Sequence, residues 1–329
     1  MSSALRTRAP QSKRLAAVKA WAAGVCLVLA ACATPQTDGL KERPWEVAPT
    51  ADVIDAPFFA QRTKECGPAA LAMALAASGL KVDPDALVAE VYTPGREGSL
   101  ATDILSAARR HGRVAYRISG MRDLFRQIAA GKPVVVLQNL ALPVLPQWHY
   151  AVVVGYDMDE GTLTLHSGKT PRLTMPMETF ERTWQRADYW GLLVLAPGQL
   201  PVEPDLDRYL QAAAGLEQAR KFEAAQAAYI AGSRNWPDNL PMAMGIGNTH
   251  YDLGNLHEAA VLFEWIARDH PNAGDAFNNL AHVRLEMGNI PDAETAARRA
   301  VALGGPNVDV YRQTLASIQK SKAGSTTAK

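Results

Sequence analysis

The sequence of 329 residues predicts an α+β domain followed by an all-α helical solenoid. In the first half, helical patterns come first and extended runs follow, as in an α+β arrangement with an antiparallel sheet. In the second half, similar residues recur every 34 positions. Three prolines between 197 and 204 separate the two halves. With 48% hydrophobic and 20% charged residues, the chain can bury substantial cores, unlike disordered or coiled-coil sequences.

Residues 1–31 have the pattern of a secretory signal. They carry five basic residues and no acidic one, and the last twelve, Ala20 to Ala31, are uncharged. That run is too short to span a bilayer as a helix, and it ends in small residues as signal peptides do. Without this segment 29 basic and 33 acidic residues remain, a net charge near −4 that argues against nucleic-acid binding.

The sequence Leu29-Ala30-Ala31-Cys32 resembles the lipobox of bacterial lipoproteins, where the cysteine is lipidated and becomes the new N-terminus. The resemblance implies a lipid anchor at Cys32. Ala33 after it implies an outer-membrane location that faces the periplasm. An ordinary signal with Ala-X-Ala cleavage is the alternative. Residues 32–50 are expected to form a polar tether.

Residues 51–197 are expected to fold as the α+β domain. Asp83 is a predicted N-cap before Pro84, and Ser99 is a second predicted cap. The predicted helices cover 68–78, 84–91, 99–112 and 121–130. The predicted strands, rich in Val and Leu, cover 134–140, 150–156, 162–165 and 191–195.

Residues 206–320, after a linker at 198–205, are predicted to be about three tetratricopeptide repeats. Ala225, Ala259 and Ala293 are 34 residues apart, as are Tyr229 and Phe263. This is the period of the tetratricopeptide repeat, a pair of antiparallel helices, and an unrelated helical bundle is the alternative. Stacked repeats form a curved solenoid, whose concave face we expect to bind a peptide or protein partner.

Cys66 is the candidate nucleophile. It is the one cysteine outside the signal and lipobox, and an unpaired cysteine in an exported chain indicates a reactive thiol, although a small buried side chain is the alternative. It precedes a predicted helix, where free N–H groups and the helix dipole favour a thiolate. Gln61, five residues upstream, and the Cys66 backbone N–H can together stabilise an oxyanion.

His149 is the candidate base for Cys66, because it begins an extended apolar run and a thiol nucleophile needs an imidazole partner. Their sequence separation of 83 positions is no obstacle, since such pairs meet in space. A lone histidine is otherwise more often structural.

Two motifs, Gln-x4-Cys-Gly-Pro-Ala and His-Tyr followed by four apolar residues and Gly-Tyr-Asp, resemble the C39 double-glycine peptidases and their C39-like relatives, a branch of the papain-like superfamily. The resemblance covers about residues 57–197 and implies a papain-like cysteine peptidase fold. It implies Cys66 as nucleophile, His149 as general base and acid, and Gln61 as oxyanion donor.

The family also places an Asp, usually before Pro, at the end of the strand that follows the histidine strand, and this sequence has none there. Ser167, next to His166, occupies the matching position, where a hydroxyl would orient the imidazole more weakly than a carboxylate. Asp157 and Asn139 are other candidates, but neither matches the family motif.

Three functions are consistent with the sequence. The first is a membrane-anchored thiol peptidase or amidase with an acyl-enzyme mechanism, which by the resemblance would favour Gly-Gly or Gly-Ala junctions. The second is a catalytically impaired domain that acts as a periplasmic scaffold or peptide-binding adaptor, and the third is an acyl or peptidyl transferase. The sequence has no phosphate-binding G-x-x-x-x-G-K-[ST] loop and no metal-ligand spacing, so no cofactor or metal is expected.

Overall fold

The computed structural model describes residues 34–41 and 47–327. The first part of the chain forms a seven-stranded sheet with helices on both faces, and the second part is a run of paired helices. The predicted fold class, an α+β domain followed by helical repeats, is confirmed. The predicted signal at 1–31 and the lipidated Cys32 lie outside the described residues.

The sheet is antiparallel, with the strand order β2-β7-β3-β4-β5-β6, and β1 pairs with one end of β4. The four predicted strands are confirmed as β3, β4, β5 and β7, whereas β1, β2 and β6 were missed. The strands are β1 Thr50–Asp52, β2 Val114–Ile118, β3 Val134–Asn139, β4 Trp148–Asp157, β5 Thr162–Ser167, β6 Thr170–Pro176 and β7 Gly191–Leu195.

The helices of the first domain include the four that the sequence predicts. Asp83 caps α3 as expected, since its side chain accepts the Asp85 N–H. Ser99 does not cap α4, because its hydroxyl is buried against α2 beside Gly67 instead of facing its own helix. The helices are α1 Pro35–Lys41, α2 Cys66–Ala77, α3 Pro84–Val91, α4 Ala101–Arg110, α5 Met121–Ala129 and α6 Met177–Gln185.

Alternate residues of the central strands fill two separate cores, as the two-residue period of a strand requires. Val135 and Val152 face the core that contains α2, α3 and α4. Val134 and Val153 face the core that contains α5 and α6. The central strands are therefore buried on both faces, so groups of these strands that are accessible to a ligand have to lie at the strand ends.

The predicted tether at 32–50 is wrong for the part that the structure describes. The backbone N–H groups of Gln36 and Thr37 donate to the carboxylate of Glu181, which is fully buried in α6. Leu40 is buried in the core. The polar residues of this segment thus serve to dock α1 onto α6 instead of keeping the chain solvated.

The second part contains three consecutive helix pairs and a final helix, which confirms the predicted repeats. The recurring alanines Ala225, Ala259 and Ala293 are fully buried, and the ring of Tyr229 lies where a Cβ on Gly245 would be. The helices are α7 Leu206–Gln218, α8 Phe222–Asn235, α9 Leu240–Asp252, α10 Leu256–Asp269, α11 Gly274–Glu286, α12 Ile290–Leu303 and α13 Val308–Thr327.

The junction between the two parts is tightly packed. In the proline-rich linker, Val202 exchanges two hydrogen bonds with the side chain of Gln127. Tyr209 and Leu216 of α7 belong to the same hydrophobic core as the strands. The first repeat is therefore an integral layer of the sheet domain. Among the described helices, none is long and apolar enough to cross a bilayer.

Candidate active site

Cys66 is the first residue of α2, and the chain enters the helix through a sharp turn in which Lys64 has a φ of 67°. Gly67 is required directly after it, since a Cβ at this position would lie 2.4 Å from Oγ of Ser99. The turn and the glycine together place the sulfur at the start of a buried helix, where backbone N–H groups have no partner within the helix.

The Cys66 sulfur is half-buried and lies against the backbone of β4. Burial raises the pKa of the Cys66 thiol, and hydrogen bonds from the backbone N–H groups of Tyr150, Gly67 and Cys66 itself oppose that shift. Because burial has the larger effect, the resting sulfur is a neutral thiol. The neutral thiol differs from the thiolate that the position of Cys66 at the start of a helix predicts.

His149 is the second residue of β4, directly before the residue that contacts the sulfur. Burial lowers the pKa of His149, so its imidazole is neutral at neutral pH and can accept a proton. Its Nε2 is hydrogen-bonded to Oγ of Ser167 at 2.8 Å. Within the described residues, Nδ1 has no hydrogen-bond partner, and the imidazole and the Cys66 sulfur are not bonded to each other in this resting arrangement.

Gln61 is buried between β4 and the turn after β5. Its side-chain Nε2 donates to the Tyr150 carbonyl at 3.1 Å, and its backbone N–H donates to the Gly168 carbonyl at 2.9 Å. One N–H of the side-chain amide remains available. The backbone of Tyr150 therefore contacts both Cys66, through its N–H, and Gln61, through its carbonyl.

The structure places one of the three candidates for the orienting group beside His149. Ser167 is within hydrogen-bond distance, as described above. Asn139 closes the β3–β4 loop instead, since its Oδ1 accepts the N–H groups of Ala141 and Gln147. Asp157 lies at the other end of β4, where it accepts the Glu160 N–H in a turn.

His166, which precedes Ser167, is a structural residue. The Arg172 N–H donates to its Nδ1, so the hydrogen of the neutral ring is on Nε2, which donates to the Ala56 carbonyl. The edge of Phe58 packs against the ring. With both nitrogens occupied and 3% of its surface exposed, this histidine has no free group for catalysis.

A cavity of about 250 Å³ lies beside the start of α2, and sequence reasoning did not find it. The sequence feature that could have indicated the cavity is the adjacent pair Phe58 and Phe59, shortly before Gln61. An ion pair between Arg62 and Asp85, at 2.9 Å, lies on its wall. The described residues contain no group of three side chains that could hold a metal ion. The cavity is lined by Phe58, Phe59, Ala60, Arg62, Glu65, Pro68, Ala69, Pro84 and Asp85.

Family models match both parts of the chain. The model of the Peptidase_C39 like family matches residues 53–191, and the tetratricopeptide repeat model matches 210–260 and 244–308. The chain thus contains a C39-like domain followed by tetratricopeptide repeats. A search of curated proteins finds no match.

Solved structures resemble each part separately. A candidate C39-like peptidase from Bacillus anthracis is 19% identical, with a TM-score of 0.38, and the match covers 44% of this chain and 97% of the other. PcrH from Pseudomonas aeruginosa is 20% identical, with a TM-score of 0.33 and coverages of 35% and 91%. The type III secretion translocator chaperone SycD from Yersinia enterocolitica is 18% identical, with a TM-score of 0.34 and coverages of 36% and 86%.

We predict that Cys66 reacts slowly with iodoacetamide at neutral pH, with a labelling midpoint above the ordinary thiol pKa of about 8.5. The reason is that burial raises the pKa of the Cys66 thiol. The measurement is mass spectrometry of the peptide that contains Cys66 after labelling at a series of pH values. A midpoint well below 8.5 would show instead that the sulfur is a thiolate paired with imidazolium.

Proposed function

We propose that the C39-like domain is a thiol peptidase or amidase that acts through an acyl-enzyme. The observation that supports the proposal best is the grouping of Cys66 and Gln61 on the backbone of Tyr150, with His149 directly before it. A nucleophile, an N–H donor and a neutral base then lie on adjoining segments, as acyl transfer requires.

In the proposed reaction, Nδ1 of His149 takes the thiol proton while the Cys66 sulfur attacks the substrate carbonyl carbon. The free N–H of Gln61 and the Cys66 backbone N–H stabilise the oxyanion. His149 then gives the proton to the leaving amine as the C–N bond breaks. Water attacks the thioester with His149 again as base, which releases the acid product and restores the thiol.

The resting separation of imidazole and sulfur fits a general-base mechanism, since catalytic hydrogen bonds often tighten only when substrate is bound. In this mechanism Nε2–H of His149 donates to Ser167 and leaves the lone pair on Nδ1 free for the thiol. A hydroxyl supports the imidazolium less than a carboxylate does, so the rate is below that of a complete triad.

The two remaining parts of the proposal concern location and partners. The lipobox supports a lipid anchor at Cys32 and an outer-membrane lipoprotein that faces the periplasm. Detection of a diacylglyceryl group on the Cys32 peptide from isolated membranes tests the anchor.

The repeats contain a cavity of about 300 Å³ whose wall includes Glu217 and Asp252, and we propose that they hold a peptide or protein there.

A scaffold without catalysis is the second candidate. Two observations favour it: the raised pKa of the Cys66 thiol, which follows from burial, and the hydroxyl of Ser167 where the C39 peptidases have an Asp. In that case the C39-like domain would bind peptides without cleaving them.

We predict that the protein hydrolyses fluorogenic peptides with Gly-Gly or Gly-Ala junctions, and that Cys66→Ala and His149→Ala each abolish turnover. Since burial lowers the pKa of His149, its base form persists below pH 6.5. kcat/KM should therefore rise with pH through a midpoint below about 6.5 and stay constant until the thiol ionises.

The matched control is His257→Ala, which removes an exposed histidine of the repeats and should leave turnover unchanged. Binding of these peptides without turnover, at equal affinity in the wild type and in Cys66→Ala, would support the scaffold and contradict the peptidase.

We predict that Ser167→Ala lowers kcat about fivefold, because a neutral hydrogen bond contributes about 1 kcal/mol. Ser167→Asp should raise kcat above wild type and move the acidic limb of the pH profile to higher pH, since a carboxylate raises the pKa of a neighbouring imidazole. If neither variant changes the pH profile, the contact between Ser167 and His149 has no role in catalysis.

A further inference from the structure

The loop between β3 and β4 exposes a cluster of apolar side chains. Residues 140–148 contain no charged residue. Of the eleven exposed large hydrophobic side chains in the described residues, five lie in this segment. We call residues 140–147 the apolar finger; its tip is Val144, 89% exposed, and Trp148 follows it, 52% exposed. The other exposed large hydrophobic side chains of the segment are Leu140, Leu142 and Leu145.

The apolar finger is held in a fixed, extended shape. At its base, the Leu140 N–H donates to the Gln147 carbonyl, and Asn139 accepts two further N–H groups from the loop. At its tip, the Leu145 N–H donates to the Leu142 carbonyl. Arg186, directly after α6, donates to the carbonyls of Asn139 and Ala141. These bonds prevent the finger from folding back onto the domain. Its apolar surface therefore remains available for contact with a membrane or another protein.

The N-terminal part of the chain approaches the same helix that holds the finger. Glu181 of α6 accepts the first N–H groups of α1, and Arg186, five residues later, binds the base of the finger. Five residues of helix span about 7.5 Å. The lipobox cysteine Cys32 is two residues before Thr34, where the described structure begins, so a lipid anchor on it would be attached close to the finger.

Two basic residues lie at the end of the sheet from which the finger projects. Lys169, in the turn between β5 and β6, lies at the same end of the sheet as the finger, and Arg186 is at its base. Cations beside an apolar insertion attract anionic headgroups, and tryptophan favours the boundary between acyl chains and water. A protruding tip such as Val144 suits a bilayer better than a peptide, which binds in a concave site.

We propose that the apolar finger inserts into the interfacial region of a phospholipid bilayer. Val144 and Leu145 enter the acyl boundary, while Trp148, Lys169 and Arg186 lie at headgroup level. Because His149 follows Trp148 directly, this contact would hold the candidate active site at the membrane surface, where it meets substrates on or near the bilayer. The inference deepens the proposed membrane attachment at Cys32 and rests on it for the orientation of the chain.

The test uses the full chain bound to vesicles of phosphatidylcholine and phosphatidylglycerol, with the photoreactive residue p-benzoylphenylalanine in place of Val144. Irradiation should give a phospholipid adduct on the peptide that contains position 144. The matched control places the same residue at Val261, an exposed valine of α10, and should give no lipid adduct. A crosslink from position 144 to a second copy or to a peptide, or no lipid adduct above the control, would overturn the proposal.

A second measurement is the partition coefficient of the full chain into the same vesicles. Val144→Asp should lower it about tenfold, since burial of a few methyl groups at the interface is lost, whereas Val261→Asp should leave it unchanged. Equal coefficients for the two variants would contradict the proposal. Hydrolysis of soluble peptides should be the same in Val144→Asp as in the wild type. The lipid group on Cys32 and the peptidase activity are measured separately, so their failure is distinguishable from failure of the finger.

Discussion

The backbone of one residue in the central strand, Tyr150, holds the candidate site together. Its N–H contacts the Cys66 sulfur, its carbonyl accepts from Gln61, and its side-chain hydroxyl donates to the Ser99 carbonyl. Tyr150 is itself fixed by pairing with Leu137 in β3 and by burial of its ring. The start of α2, the loop before it and the segment before α4 are therefore all positioned relative to the strand that carries the candidate base, His149.

The protonation of the site results from competing effects on the same sulfur. Three backbone N–H groups favour the thiolate, but burial favours the thiol more, so the pKa of Cys66 is raised. Burial also lowers the pKa of His149, which keeps the imidazole neutral. Thiol and imidazole thus both rest uncharged. In the proposed reaction, charge separates only when substrate excludes water and the proton moves. Ser167, a neutral partner of the imidazole, is consistent with a site that carries no charge at rest.

Local sequence patterns correctly predicted the features that depend on interactions between residues close together in the chain. The turn at Cys66, the Asp83 cap and the repeat period follow from short-range geometry, and each appears in the structure. What failed depends on tertiary contacts. Ser99 packs against Gly67 instead of capping its helix, and the polar segment of α1 docks because the buried Glu181 accepts its N–H groups. These contact partners are far apart in the sequence, so a local sequence pattern cannot reveal them. The burial that raises the pKa of the Cys66 thiol also results from tertiary contacts, so no local sequence pattern indicates it.

The shared core between domain and repeats fixes the distance between the first repeat and the candidate site. α7 packs against β2, at one edge of the sheet, whereas the candidate site lies at β4, three strands away in the order β2-β7-β3-β4. With neighbouring strands about 4.8 Å apart, this separation is about 14 Å, or about four extended residues. Under the proposed function, a peptide held by the repeats would therefore need at least that length of extended chain between the repeats and its scissile bond. Because the junction is packed, this distance cannot shorten by a hinge motion without opening the core.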